Sequence, residues 1–199
     1  CNMTGIEVAY ELRNATNHII GSPTEIMAYG MPYKLLWSEL SKVNPDYHSI
    51  CTNFINFYSN YKYEGTPYPY GTISVIDCSQ VEDMVDIMKE INASSSLSTI
   101  TESNIQSMDG YTPSIFYDMG DYVRKLAQNE PLLLAKFNSQ LDRLVPEKRH
   151  TDAYYTSLRT AGFNIIPIQS YSGITISDPS TNQTVTNSLG SNRYYQTTH

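Results

Sequence analysis

The side chain best placed to do chemistry is the first one. Cys1 opens the segment "CNMTGIEVAYELRNATNHII", and the residues after it predict a helix almost at once. Thr4 and Glu7 form the T-x-x-E pattern, in which hydroxyl and carboxylate each satisfy an otherwise free backbone N–H. Ile6, Val8, Ala9 and Leu12 follow at helical spacing, with Glu7, Glu11 and Arg13 on the polar side. A thiol just ahead of a helix N-terminus faces unpaired N–H groups and the positive end of the dipole, which lower its pKa and favour the thiolate. Such a cysteine can be a nucleophile exposed by a cut in a longer chain, an N-terminal nucleophile that uses its own amine as base, as in some amidohydrolases, or a lipid-anchor site. A lipid anchor is followed by a flexible polar tether, and an N-terminal nucleophile begins a sheet strand. Neither matches a helix cap at Thr4. The first reading is favoured, and the chain is expected to continue upstream.

A thiolate nucleophile needs a base, and four histidines are available. His18 begins a strand, His48 falls in the first turn of a helix, His150 sits in a charged loop, "PEKRHTD", and His199 is the last residue. None stands in a His-Gly turn that would hold an imidazole at a strand end, so each reads as structural or solvent-facing. Cys51 lies in an apolar helix pattern and Cys78 closes a strand; both read as small buried hydrophobes. Three cysteines without a C-x-x-C pair exclude a disulfide framework and a structural zinc site. Asp118/Asp121 and Glu82/Asp83 are ordinary helix-face charges.

The elements that must position these residues follow a strand–helix rhythm. "NHIIGSP" is a short buried strand stopped by Gly21 and Pro23. Pro32 begins a helix that ends before Pro45, and Asp46 caps the next one. "YKYEGTPYPYG" reads as a solvent-facing loop. "GTISVIDCS" gives a strand at 72–77, after which Ser79 and Glu82 form a second capping box before a helix. A polar loop, "NASSSLSTI", marks a domain boundary near residue 95. Beyond it "YDMGDYVRKLA" and "PLLLAKFNSQLDRLV" are helices, and "TAGFNIIPIQSYSGITISDP" gives two short strands around a turn at Ser172–Gly173. "STNQTVTNSLGSN" reads as loop, and "NRYYQTTH" as the start of a helix cut short. The expected class is α/β: residues 1–95 as the second half of a layered α/β/α core, and 96–199 as an α+β region packed on it.

Composition narrows the partners. A formal charge of −7 with no Lys/Arg-rich run argues against a nucleic-acid surface. No apolar run approaches the length of a membrane span, and no signal peptide is visible. Tyrosine is abundant, at 17 residues, but scattered apart from the loop above, so carbohydrate binding is not favoured.

The stretch "CNMTGIEVAYELRNATNHIIGSPTEIMAYGMPY" closely resembles the nucleophile-bearing segment of the clostripain family of cysteine peptidases. The match rests on Cys1 with a Met two residues on, the "IEVAYEL" helix, the "SPTE" strand end and the "YGMPY" loop, and continues more loosely through "GTISVIDCS" and "FYDMGDYV". The resemblance implies a caspase-like α/β/α fold, Cys1 as nucleophile, and acyl transfer after Arg or Lys in peptide or protein substrates. It places the basic histidine on a His-Gly turn in an upstream, light-chain-like segment of the same precursor, and an acid for the basic side chain just before the cysteine. Thr24 and Glu25 match the edge of the specificity pocket. The resemblance further implies a secreted or cell-surface bacterial protein that matures by internal cleavage, and it allows a calcium requirement. A non-catalytic binding or scaffold module on the same fold is the rival from another class.

Overall fold

The computed structural model describes residues 4–94, 105–158, 165–177 and 183–199. Cys1 and the boundary anticipated near residue 95 lie outside them. Along the chain run α1 (Ile6–Leu12), β1 (His18–Gly21), α2 (Tyr33–Leu40) and α3 (Tyr47–Ser59). A small hairpin of β2 (Lys62–Tyr63) and β3 (Thr66–Pro67) leads to β4 (Thr72–Asp77) and α4 (Val81–Ser94). Next come β5 (Phe116–Asp118), α5 (Met119–Leu126), α6 (Pro131–Leu144), β6 (Glu147–His150) and β7 (Ala153–Tyr155). The last described elements are β8 (Ile165–Pro167), β9 (Thr175–Ser177), α7 (Gln183–Ser188) and α8 (Arg193–Thr198).

β4 organises the body. Its β-branched residues favour a strand, and it is nearly continuously buried because it lies between β1 and β6, antiparallel to both. Alternation divides its side chains between two cores. Ile73 and Val75 join Leu36 of α2 and Ile50, Cys51, Phe54 and Tyr58 of α3. Ile76, on the opposite face, joins Ile6 and Ala9 of α1, Met84 and Met88 of α4, and Phe137 and Leu144 of α6. Helices thus cover both faces of the sheet, the layered α/β/α arrangement that the sequence implies. The second core draws on residues from Ile6 to Tyr195, on both sides of residue 95. Fully burying a side chain such as Ile73 or Phe137 contributes about 1.5–3 kcal/mol.

Several local expectations give way to tertiary partners. The Thr4–Glu7 capping box does not form: Gly5 is the N-cap of α1, no side chain caps it, and the Thr4 hydroxyl is buried without a partner. Glu7 turns instead to Ser177, whose N–H and hydroxyl donate to it at 2.8 Å each. The Ser79–Glu82 box is likewise absent. Asp77 accepts from Ser79 N at 2.9 Å and caps a single tight turn ahead of α4, while Glu82 pairs with Arg13. In both cases an aspartate or a distant donor out-competes the local pattern.

The charged run around His150 is not a loop but β6, an edge strand whose charges suit an exposed sheet margin. The "YKYEGTPY" segment folds into the β2/β3 hairpin around Glu64 and Gly65, both at positive φ. The two strands expected around Ser172–Gly173 exist but do not pair with each other: β8 pairs with β7, and β9 with β5. Part of "STNQTVTNSLGSN" is helical, as α7. The end of the chain forms α8, whose Tyr194 and Tyr195 are buried, with Tyr10 and Tyr194 rings 6.0 Å apart.

Gly173 turns the chain into β9 with φ +80°, and a Cβ there would lie 2.9 Å from both Lys148 Cβ and Val145 Cγ1. Gly173→Ala should destabilise the fold by about 2 kcal/mol or more through backbone strain and steric overlap. Urea unfolding of wild type and variant measures this; an unchanged midpoint would refute it.

Candidate active site

The first described residues, Thr4 and Gly5, lead into α1 along the edge of β9. Gly5 bridges Thr175 in parallel, and Thr175 N donates to the Thr4 carbonyl at 3.0 Å. In the sequence this clamp lies three residues after Cys1. Thr175 itself is fixed by the turn before it. Asp118, fully buried at the end of β5, accepts from Ser172 N, from Ser172 Oγ at 2.8 Å and from Ser170 Oγ at 3.3 Å. The same carboxylate caps α5 by accepting from Asp121 N at 2.9 Å.

From this turn a polar stripe crosses the sheet along β4. Ser74 Oγ donates to the Gly173 carbonyl, and Tyr171 OH donates to the Ile73 carbonyl at 3.0 Å. Thr72 Oγ1 lies 2.6 Å from Ser22 Oγ and 2.7 Å from Thr24 Oγ1. Thr24 is fully buried, so its hydroxyl fastens the segment after β1 and does not open to solvent. Its neighbour Glu25 is half-buried and accepts from Ser157 N at 2.8 Å and Ser157 Oγ at 2.6 Å. Glu25 and Ser157 together line two half-open cavities. One, of about 260 Å³, also has Asp109, Gly110, Tyr111 and Thr156 in its wall. The other, of about 380 Å³, is walled largely by tyrosines.

The remaining candidates have other roles. Cys51 is fully buried, and burial pushes its thiol up to about 12. Burial, then the charge of Asp77, raises the Cys78 thiol as well. Neither is a thiolate near neutral pH, as expected of packing residues. His18 lies against Tyr47 with ring centroids 4.9 Å apart, and exposed His48 pairs with Glu147 at 3.3 Å. His150 donates from Nδ1 to the Thr151 carbonyl at 2.8 Å and faces the Tyr171 ring. His199 lies against the Tyr195 ring. Among the described residues no group of three or more His, Cys, Asp or Glu could hold a metal ion. No described helix is long and apolar enough to cross a membrane.

Sequence reasoning passed over Asp118, read as a helix-face charge, and Ser157, which carried no motif. An aspartate just before "MGDYVRKL" is an N-cap signal that could have flagged the first; the second is visible only in three dimensions.

Helices on both faces of a sheet, with the N-terminal segment leading into the first of them, define a caspase-like α/β protein. The chain belongs to the clostripain family of cysteine peptidases, whose sequence pattern matches residues 1–196. It is similar to a secreted cysteine protease of this family from Bacteroides thetaiotaomicron, "iotapain", at 44% identity and TM-score 0.88, over 100% of this chain and 53% of that one. It is equally similar, at 44% identity and TM-score 0.89, to a clostripain from Bacteroides thetaiotaomicron ATCC 29148 in complex with the peptide inhibitor BTN-VLTK-AOMK, over 100% of this chain and 84% of that one. An inactive zymogen from Parabacteroides distasonis matches at 27% identity and TM-score 0.86, over 100% of this chain and 56% of its own. The chain thus spans about half the length of the first of these relatives. Among curated proteins none matches.

Burial raises the Asp118 carboxyl above the ordinary aspartate range, with the bonds from Ser172, Asp121 and Ser170 pulling the other way. A raised native pKa means the folded state keeps the proton longer than the unfolded chain. The associated stability is therefore complete below the unfolded value and is lost as pH rises through the native one. Asp118→Asn removes this titration along with part of the hydrogen bonding. The stability gap between wild type and variant should narrow as pH rises from about 4 to about 7. Urea titrations at several pH values test this, and a widening gap would contradict it.

Proposed function

We propose that this chain carries the nucleophile of a cysteine endopeptidase that cleaves peptides after Arg or Lys. Cys1 supplies the thiolate, which adds to the scissile carbonyl carbon while backbone N–H groups near it receive the developing oxyanion. The C–N bond then breaks, the amine departs with a proton from an imidazolium, and water hydrolyses the thioester to free the acid and restore the thiol. The histidine that shuttles these protons is expected from an upstream segment of the same precursor, which is the partner this reading requires. The protein is proposed to be a secreted or cell-surface bacterial enzyme matured by internal cleavage. The relatives described as secreted and as an inactive zymogen support both points.

Glu25 is proposed to line the edge of the pocket for the basic side chain, beside the acid expected just before the cysteine, with buried Thr24 holding it in place. A carboxylate offers about four lone-pair sites. Ser157 occupies two of Glu25's, which leaves room for a guanidinium or ammonium entering from either cavity. The observation that carries the peptidase reading is the peptide-inhibitor complex of a relative 44% identical across this entire chain.

The test is turnover by the full-length protein of fluorogenic peptides ending in Arg, Lys, Leu or Asp before the reporter. The Arg and Lys peptides should be cleaved and the others left intact, with all activity lost in Cys1→Ala. Glu25→Gln should raise KM for the basic peptides about tenfold or more, with a smaller change in kcat, as expected for one lost charge-assisted contact. Full activity in Cys1→Ala would move the chemistry elsewhere, and an unchanged KM in Glu25→Gln would remove that residue from specificity.

A further inference from the structure

Beyond the residue that reads the basic side chain, the tyrosine-walled cavity beside Glu25 has no assigned use. Three separate stretches of chain build it. Ile26 and Met27 come from the segment after β1, Tyr61, Tyr63 and Tyr68 from the β2/β3 hairpin and its flanks, and Tyr155 from β7. The hairpin strands are exposed, with Tyr63 at 56%, and a two-stranded ribbon is marginal by itself. Its flanks tie it down: Tyr68 N donates to the Tyr61 carbonyl at 2.9 Å, and the Tyr68 ring meets Tyr155 edge-on with centroids 6.1 Å apart. Tyr61 packs in turn on Phe57 and Tyr58 of α3.

The tyrosine side chains, with Ile26 and Met27, make a wall suited to an apolar side chain, while phenol groups tolerate water at a half-open mouth. A space of about 380 Å³ is large enough for one large side chain and the backbone that carries it. Glu25 is the one carboxylate in the lining, and it disfavours an acidic occupant. Glu25 and Ser157 also line the more polar cavity of about 260 Å³, so the two spaces lie side by side along one wall. In an extended peptide, side chains two residues apart share a face, at a spacing of about 6.5–7 Å.

We propose that the tyrosine cavity is a second specificity site of the peptidase, taking an aromatic or branched aliphatic side chain two residues before the basic one. This rests on the reading that the protein cleaves after Arg or Lys. The preferred substrate then has an apolar residue, any residue, and Arg or Lys, with cleavage following.

The test uses the full-length protein and peptides ending in Arg before the reporter. One series varies the residue two positions before the Arg among Tyr, Leu, Gly and Asp, and a control series varies the position between. Wild type should favour Tyr and Leu over Gly by about tenfold or more in kcat/KM, as burial of a large side chain provides. Asp should be the poorest. Tyr68→Ala and Tyr155→Ala should each pull the Tyr-to-Gly ratio down towards unity, while Tyr68→Phe, which keeps the ring, should retain it. An unchanged ratio in both alanine variants, an equal loss on every peptide, or an effect confined to the control series would overturn the assignment. Failure of the wild type to cleave any Arg peptide would instead overturn the basic-residue reading, and this proposal with it.

Discussion

The Asp118 carboxylate is the contact on which the rest of the candidate site depends. Burying an ionisable group is tolerable only when donors surround it. Here the donors come from two places at once: the first turn of α5 and the Ser170–Ser172 turn ahead of β9. Satisfying one carboxylate therefore locks a helix start to a strand start. β9 then receives Gly5 as its neighbour, and Thr175 holds the Thr4 carbonyl. Thr4 and Gly5 are thus positioned by a hydrogen-bonded knot more than a hundred residues away in sequence.

The same turn is tied across the sheet. β4 turns apolar residues to the α2/α3 core, but on its other face Thr72 and Ser74 interrupt the apolar pattern. Those hydroxyls meet the Tyr171–Gly173 turn at one end and Ser22 and Thr24 at the other. A buried polar stripe of this kind specifies one register and one turn geometry, because any slip would strand a hydroxyl without a partner. Thr4, held by Thr175 on β9, and Thr24, held by Thr72 on β4, are linked through the Gly173 contact with Ser74.

How much of this the sequence revealed follows from the range of the forces involved. The helices after Pro32, Asp46 and Pro131, and the strand at 72–77, were legible because short-range signals and apolar periodicity agree there. Asp46 does accept from Ser49 N at 3.1 Å, as its position predicted. The capping boxes at Thr4–Glu7 and Ser79–Glu82 misled because Glu7 and Glu82 found partners in Ser177 and Arg13 that no local window contains. β6 was hidden by its charges, since an edge strand can be polar on both faces. In the candidate site, the readings of Cys1 and of the "SPTE" segment rest on family resemblance alone. The partner of Glu25, Ser157, lies 132 residues away and carries no pattern.

Cys51 and Cys78 are buried and held protonated by their surroundings. Cys1 is the thiol proposed to act as nucleophile on a peptide with a basic end. The most direct measurement is covalent. The full-length protein is incubated at neutral pH with a peptidyl ketone that carries lysine next to a leaving group, then digested and mapped by mass spectrometry. A single adduct on the peptide containing Cys1, blocked by an excess of an Arg-ending substrate, is the predicted result. No adduct, or one on Cys51 or Cys78 with Cys1 unmodified, would contradict the account.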